Sequence, residues 1–385
     1  MTLRKLACWI GLVAALALLT GCAISLTDAT PVSTVEVPTG APPNQPSPTR
    51  EGGATESGTT EPSWTSLGLS GRLLYSLGAQ GIRELDLATG ENKVVFAPPK
   101  NAWLTAASVS PDGQQIALAY APPPAADGVQ LGYTSLFLLP GDCGARPGGC
   151  TPDDLKLLLE RVDPHEAYFS PVWSADSRHL YTAHFTPSDS GSSTPFKHTL
   201  ERLVVPDGKP EVLLQDALWP NASPDGQHLV YVVSDPKDNS NYLYVAGEDG
   251  ANPRVLVTPD QFLAVDAPLF APDSSYIVFS AVGEGPASTP SPALSWLDRL
   301  LGVRTALAAP LAHNVPSDWW KINTDGTGLT RLTKQYDTSM FGAFAPDGQH
   351  IAYLSASGLY VMSPDGSDVK RLLKTTGYGT IDWVK

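Results

Sequence analysis

Residues 344–354 read FAPDGQHIAYL, and this stretch decides the fold. Its proline presets one torsion of a tight turn, its aspartate can bond the backbone, and its glycine tolerates a positive φ. The apolar run at 351–354 is nearly continuous, which is typical of a strand covered on both faces. The stretch therefore predicts a hairpin turn that leads into a buried strand.

The same pattern occurs five times along the chain, at 109–113, 173–177, 222–226, 270–274 and 344–348. The third residues of these motifs, at 111, 175, 224, 272 and 346, are separated by 64, 49, 48 and 74 residues. A period near 48 residues suits a four-stranded propeller blade. The motif aspartates recur once per blade, so we interpret them as turn-stabilising rather than catalytic. They are Asp112, Asp176, Asp225, Asp273 and Asp347.

A second hairpin signature follows three of the motifs: a short apolar strand and then Asp-Gly, at 249–250, 325–326 and 365–366. Together these repeats resemble the Pro-Asp-type, WD-like repeats of the TolB-like β-propeller family, over about residues 71–385. The resemblance implies an all-β propeller with four-stranded blades.

Five motifs account for five blades, and the sixth is predicted to be composite. Strands at 73–76, 82–87 and 94–96 have no preceding motif, while 380–384 is an unpaired strand at the other end. Pairing the N- and C-terminal strands would close a six-bladed ring and remove exposed edges.

The N-terminus reads as an export signal over residues 1–21. Arg4 and Lys5 precede an apolar stretch, 6–19, that is too short for a comfortable membrane span. Leu19-Thr20-Gly21-Cys22 resembles the bacterial lipobox, which implies cleavage before Cys22 and its acylation. Several acyl chains anchor a protein firmly. The alternative is an uncleaved anchor helix.

Residues 22–66 are rich in Pro, Ser, Thr and Gly and cannot bury enough surface to offset their chain entropy. We expect a disordered tether there, followed by the propeller at 67–385. Ala23 after the lipidated cysteine suggests the outer membrane, if the cell has one.

The chain carries 25 Lys and Arg against 39 Asp and Glu, a net charge of -14. This balance argues against nucleic-acid binding, which needs clustered cations. Outside the cytoplasm the closely spaced Cys143 and Cys150 are expected to form a disulfide. A metal site at these cysteines would need further ligands that the surrounding sequence does not offer.

An insertion at 283–316 interrupts the fifth blade. Ser291-Pro292 is a good helix start and Gly302 a good stop, so the sequence predicts one short helix there. The helix could dock a partner, or it could pack on the propeller's own rim. Its apolar face comprises Leu294, Trp296, Leu297, Leu300 and Leu301.

No catalytic, metal or cofactor site is predicted. His179, His228 and His350 each follow a motif aspartate by three residues, but Gln115 and Tyr276 occupy the same position in the other repeats, which favours a structural role. The remaining histidines, His165, His184, His198 and His313, show no ligand spacing. An oxygen-rich stretch at 235–241 could hold calcium, but a solvated loop explains it better. The sequence contains no nucleophile elbow, phosphate loop or dinucleotide fingerprint.

These observations predict an exported, monomeric, lipid-anchored propeller, attached to the cell membrane or the outer membrane through Cys22. We expect a non-catalytic module that binds an envelope protein or peptide. The alternative is small-ligand or glycan binding, or a lyase-like activity, at the central funnel.

Overall fold

The computed structural model describes residues 64–124, 132–188, 196–235, 240–283, 285, 315–375 and 379–385. Within these residues, 24 strands form six antiparallel sheets of four strands each. The predicted six-bladed, all-β propeller with four-stranded blades is therefore confirmed.

Blades 1 to 3 come from the first part of the chain, except for one strand that the C-terminus contributes to blade 1. Blade 1 contains β1 (Arg72–Ser76), β2 (Ile82–Asp86), β3 (Asn92–Phe96) and the last strand, β24 (Ile381–Val384); blade 2 contains β4 (Trp103–Val109), β5 (Gln115–Ala121), β6 (Ser135–Pro140) and β7 (Lys156–Leu159); blade 3 contains β8 (Ala167–Trp173), β9 (His179–Pro187), β10 (Phe196–Val204) and β11 (Pro210–Gln215).

Blades 4 to 6 each use four consecutive strands. Blade 4 contains β12 (Ala217–Ala222), β13 (His228–Ser234), β14 (Asn241–Gly247) and β15 (Arg254–Val257); blade 5 contains β16 (Ala264–Phe270), β17 (Tyr276–Val282), β18 (Asp318–Asn323) and β19 (Thr330–Arg331); blade 6 contains β20 (Phe341–Phe344), β21 (Ile351–Ser355), β22 (Gly358–Met362) and β23 (Lys370–Leu373).

The ring closes as predicted, because β24 pairs antiparallel with β1 from Arg72↔Val384 to Tyr75↔Ile381. The residue before β24 also ties this blade to the next one. The Thr380 hydroxyl accepts a hydrogen bond from the Ala107 amide at 2.8 Å and donates one to the Ala107 carbonyl at 2.6 Å. Chain closure and the contact between blades 1 and 2 are thus made by the same few residues.

The first strands of neighbouring blades pack against one another around the axis, so β4, β8, β12, β16, β20 and β24 are the innermost strands. Each of the first five ends at a Pro-Asp-type motif, and the next strand runs back. The ring therefore has two distinct faces. We call the face that carries the motifs the turn face, and the opposite one, where the innermost strands begin, the mouth face.

Each motif is a hydrogen-bonded turn. In blade 2 the Ser110 hydroxyl donates to Asp112 Oδ1 at 2.6 Å, and the same oxygen accepts the Gln114 amide at 3.0 Å. These two hydrogen bonds hold the pKa of Asp112 below its ordinary value. The motif also reaches the next blade, since the Asp112 amide donates to the Ser177 hydroxyl at 3.1 Å. Ser177 occupies the motif position that is glycine in three of the other motifs, and its hydroxyl therefore links two blades.

The core lies between the faces of adjacent sheets. Trp319 and Trp320 of blade 5 are both buried. Trp319 of blade 5 packs edge-on against Tyr353 of blade 6, with ring centroids 6.0 Å apart. Such large aromatic side chains supply much of the buried apolar area that holds neighbouring blades together.

The outer edges of several blades are covered by the hairpin of the next blade. Gly366 adopts a φ of +84°, and a Cβ there would lie 2.1 Å from the Leu332 carbonyl oxygen beside the outermost strand of blade 5. Between blades 1 and 2, the loop closed by the Cys143–Cys150 disulfide covers the outer edge of blade 1. Its Cys150 amide donates to the Val95 carbonyl at 2.8 Å. Covered edges cannot pair with other chains.

The described chain begins at Trp64, whose ring is buried and whose indole N–H donates to the Leu87 carbonyl at 3.0 Å. It reaches the ring at Arg72, the start of β1. Because β1 is the second strand of its blade, it begins on the turn face. The preceding chain therefore arrives on the side opposite to the mouth.

Candidate functional site

A cavity of about 590 Å³ opens on the mouth face. It is bounded by the beginnings of innermost strands from several blades and by the mouth ends of β9 and β10 in blade 3. The residues that line it are Trp103, Thr105, Ala106, Gly132, Tyr133, His165, Ala167, Phe169, Ser170, Ala183, Phe185, Phe196, His198, Leu218, Trp219, Ser339 and Phe341. None of these lining residues is Asp, Glu, Lys or Arg, and seven of them are Phe, Tyr or Trp.

Two aromatic walls face the cavity. On blade 3, Phe185 lies between Phe169 and His198, with ring centroids 4.7 Å and 4.4 Å apart respectively. From blades 4 and 6, Trp219 and Phe341 meet with centroids 5.6 Å apart. Strand pleating explains the first wall, because alternate residues of β8 and β9 point to the same side of the sheet. The cavity can therefore receive flat or apolar groups between aromatic faces.

The wall histidine is predominantly neutral near pH 7. Burial lowers the pKa of His198, and the nearby carboxylate of Asp216 offsets part of that effect. A neutral imidazole can donate one hydrogen bond and accept another. The cavity thus offers hydrogen-bonding groups without bringing charge into its aromatic wall.

Three consecutive innermost strands carry a strained bulge, and two of the bulged residues, Ser170 and Trp219, line this cavity. Ser170, Trp219 and Ala267 have φ values of +48°, +51° and +44°, and each is followed by a proline. The pairing of these strands with their neighbours shifts register at the same points. Left-handed backbone is costly for a residue as bulky as tryptophan, and such strain clusters at functional sites. The bulge at Trp219 places its side chain in the cavity wall.

Below the cavity, a narrow axial channel of about 100 Å³ is lined by residues from all six innermost strands. Two side chains there make equivalent contacts across blade interfaces. Asn221 Oδ1 accepts the Phe270 amide at 2.9 Å, and Asp382 Oδ2 accepts the Val109 amide at 2.8 Å. Burial raises the pKa of Asp382 to about 7, and the bond from Val109 offsets part of this rise.

Exposed apolar residues surround the cavity on the loops that join one blade to the next, which we call the rim loops. Val162, Leu263 and Tyr336 lie on three different rim loops and are 91%, 71% and 54% exposed. All three loops lead into the beginnings of innermost strands, which places them on the mouth face. Three large side chains are therefore exposed on the same face of the ring as the cavity.

The candidate residues predicted from the sequence lie elsewhere. The motif aspartates lie on the turn face, across the ring from the cavity, and the cysteines lie at an outer edge. Cys22 and the five apolar residues Leu294, Trp296, Leu297, Leu300 and Leu301 lie outside the described residues, as does most of the insertion at 283–316. The insertion does join β17 to β18, a connection that leaves and re-enters the ring on the mouth face.

The cavity residues were missed, although one signal was present. X-Pro pairs at 170–171, 219–220 and 267–268 stand at the same distance before three motifs. Proline inside a strand marks an edge or a bulge, and bulges are frequent near sites. His165 and His198, which the sequence left without a role, both line the cavity.

Across the described residues, no three His, Cys, Asp or Glu side chains come together as metal ligands would. In the same part of the chain, no helix has the length and apolar character needed to span a bilayer.

No protein-family model matches this sequence, and no curated protein matches it significantly. Solved structures do share its fold. TolB from Acinetobacter baumannii superposes with a TM-score of 0.52 at 14% identity, over 82% of this chain and 66% of that chain. A putative TolB from Agrobacterium tumefaciens gives a TM-score of 0.49 at 15% identity, over 80% and 90%.

A chain of a nidogen/laminin complex gives a TM-score of 0.51 at 13% identity, over 80% of this chain and 97% of that one. Identities this low show a shared fold and no more. The predicted resemblance is confirmed at the level of the fold: the chain is similar in structure to TolB, with a six-bladed β-propeller of four-stranded blades.

Proposed function

We propose that this protein is a lipid-anchored, non-catalytic docking module of the cell envelope, and that it binds a protein or peptide partner on the mouth face of its propeller. The observation that carries the proposal is the aromatic cavity on the mouth face, whose lining contains no Asp, Glu, Lys or Arg, together with the exposed side chains on the rim loops of the same face. Apolar surface of this kind on a soluble protein marks an interaction site. Buried aromatic side chains also dominate the energetics of protein interfaces.

The composition of the cavity supports binding rather than chemistry. General acid–base catalysis uses a group that titrates near the working pH and touches the reacting atoms. The lining residues contain no carboxylate or amine. Of their two histidines, His198 has its pKa lowered by burial, and His165 Nδ1 lies 3.2 Å from the Asp163 carboxylate. A lyase acting on an acidic polymer would also need cationic side chains to bind its substrate, and the lining residues include no Lys or Arg.

A second candidate is binding of a glycan or another small uncharged ligand in the same cavity, because aromatic faces also stack on sugar rings. The rim favours the first candidate. Val162, Leu263 and Tyr336 would contact a protein that covers the mouth, but a ligand confined to the cavity would leave them in water.

Site-specific photo-crosslinking in cells tests the proposal. A benzophenone amino acid replaces Val162 on the mouth face or, as the matched control, the exposed Gln349 of a motif on the turn face. We expect a discrete protein adduct from position 162 and none from position 349, and Phe185→Ala should reduce the adduct. An adduct from 349 alone, or no adduct from 162, would overturn the proposal.

A further inference from the structure

A buried aspartate collects hydrogen-bond donors from the rim loop between blades 5 and 6, residues 332–340. Asp318 is the first residue of β18 and is only 2% exposed. Its Oδ1 accepts the Thr333 hydroxyl at 3.0 Å and the backbone amides of Gln335 and Tyr336 at 2.6 Å and 3.3 Å. One carboxylate oxygen thus fixes the path of the loop as far as Tyr336.

The guanidinium of Arg331 joins the same arrangement. Its Nη2 donates to Asp318 Oδ2 at 2.7 Å, and its Nε donates to the Thr333 carbonyl at 3.0 Å. The guanidinium also lies over the rings of Trp320 and Tyr336, 5.7 Å and 5.1 Å from their centroids. Arginine stacks favourably on aromatic faces. The Tyr336 residue is therefore held twice, through its backbone by the aspartate and through one face of its ring by the arginine.

The loop keeps this tyrosine in a costly backbone conformation. Tyr336 has a φ of +52°, and Ser339, which lines the cavity, has a φ of +56°. Such backbone is unfavourable for residues other than glycine and persists where surrounding contacts over-determine it. Blade 6 supplies a further contact, because the Tyr353 hydroxyl donates to Gln335 Oε1 at 2.6 Å. Both neighbouring blades thus fasten the loop, yet Tyr336 remains 54% exposed.

We propose that Asp318 and Arg331 are positioning residues that preorganise Tyr336 as an aromatic contact for the mouth-face partner. The inference rests on the proposed docking function, since it names a residue that the partner meets on the rim. A tyrosine offers a large contact surface, and a ring that is already held loses less conformational freedom on binding. Tyrosine is also among the residues that contribute most to protein interfaces. Preorganisation should therefore strengthen docking without adding a contact.

Residue-resolved hydrogen exchange on the full-length protein without a partner tests the restraint. Asp318→Asn keeps the size of the side chain but removes its charge and one acceptor oxygen. We expect the protection factors of the Gln335 and Tyr336 amides to fall at least about fivefold, because these amides lose a charged acceptor. Glu84→Gln is the matched control. Glu84 is also buried and lies 2.9 Å from an arginine, Arg72, but in blade 1, so this variant should leave the two amides as protected as in the wild type.

Photo-crosslinking in cells tests the contact with the partner. The benzophenone amino acid stays at Val162 on a different rim loop, and the adduct yield per amount of protein measures docking. We expect Tyr336→Ala to reduce this yield at least about fivefold and Tyr336→Phe to keep it within about twofold. Asp318→Asn and Arg331→Met should also reduce it, because the ring then has to be ordered on binding. Glu84→Gln should not reduce it.

Each result has a distinct meaning. Unchanged protection of Gln335 and Tyr336 in Asp318→Asn would overturn the restraint. A full adduct yield in Tyr336→Ala would overturn the role of this tyrosine, while the docking proposal would stand on the wild-type adduct. No adduct from position 162 in the wild type would overturn the docking proposal and the role of Tyr336 in it, and the exchange data would still decide the restraint.

Discussion

Replacing Asp382 with asparagine should stabilise the propeller at alkaline pH and leave its stability unchanged at acidic pH. Asp382 lines the axial channel in the strand that closes the ring, and its carboxylate accepts the Val109 amide of the next blade. Burial raises its pKa from 3.8 to about 7. The folded protein therefore keeps a proton that the unfolded chain gives up between about pH 4 and pH 7.

The sign and size of the change in stability follow from this difference in pKa between the folded and the unfolded protein. Because the folded pKa is the higher one, stability falls as pH rises through that interval and levels off above it. At 1.36 kcal/mol per pH unit, the full loss is about 4 kcal/mol. An asparagine oxygen still accepts the Val109 amide but carries no charge, so Asp382→Asn should recover up to about 4 kcal/mol at pH 8. Asn221 shows that an amide suits this position, since it makes the same contact with Phe270.

Urea unfolding at pH 4 and pH 8 measures the effect. Aspartates whose pKa is lowered, such as Asp112, act in the opposite direction, but they are common to both proteins and cancel in the difference. The reverse change, Asn221→Asp, is the matched control and should destabilise more at pH 8 than at pH 4. Equal stabilisation by Asp382→Asn at both pH values, or none at pH 8, would refute this reasoning.

Two further predictions concern stability. Replacing Cys143 and Cys150 by serine should lower the free energy of unfolding by about 2 to 3 kcal/mol, the loop-closure contribution of so short a loop; urea titration checks it, and an unchanged midpoint would contradict it. Gly366→Ala should destabilise by well over about 1 kcal/mol, because the added Cβ meets the Leu332 carbonyl. Gly113→Ala has a similar φ but no atom within 4 Å of the added Cβ, so its loss of thermal stability should be distinctly smaller.

Much of the fold was predictable because its signals are local. Each Pro-Asp-type turn is specified by about five consecutive residues, and the hydrogen bonds that the Asp112 carboxylate accepts from Ser110 and Gln114 stay inside that turn. The sixth blade followed from a different argument. A first blade without its innermost strand would leave an open edge at the axis of the ring, so the orphan strands at the two ends were expected to pair.

The candidate site was not predictable in the same way. Trp103 and Phe341 line one cavity although they belong to blades 2 and 6, and no local pattern in the sequence places them together. The grouping of Asp318 with Arg331 and Gln335 depends on strand register and on the path of a loop between blades. Such contacts follow from tertiary structure, since neither residue type nor spacing distinguishes them from ordinary surface positions.

The most direct test of the docking proposal is a hydrogen-exchange footprint of the propeller with and without the partner recovered by crosslinking. We expect partner binding to protect the rim loops around Val162, Leu263 and Tyr336 from exchange and to leave the motif turns unchanged. Protection confined to the motif turns, for example at 110–115 and 345–350, would contradict it.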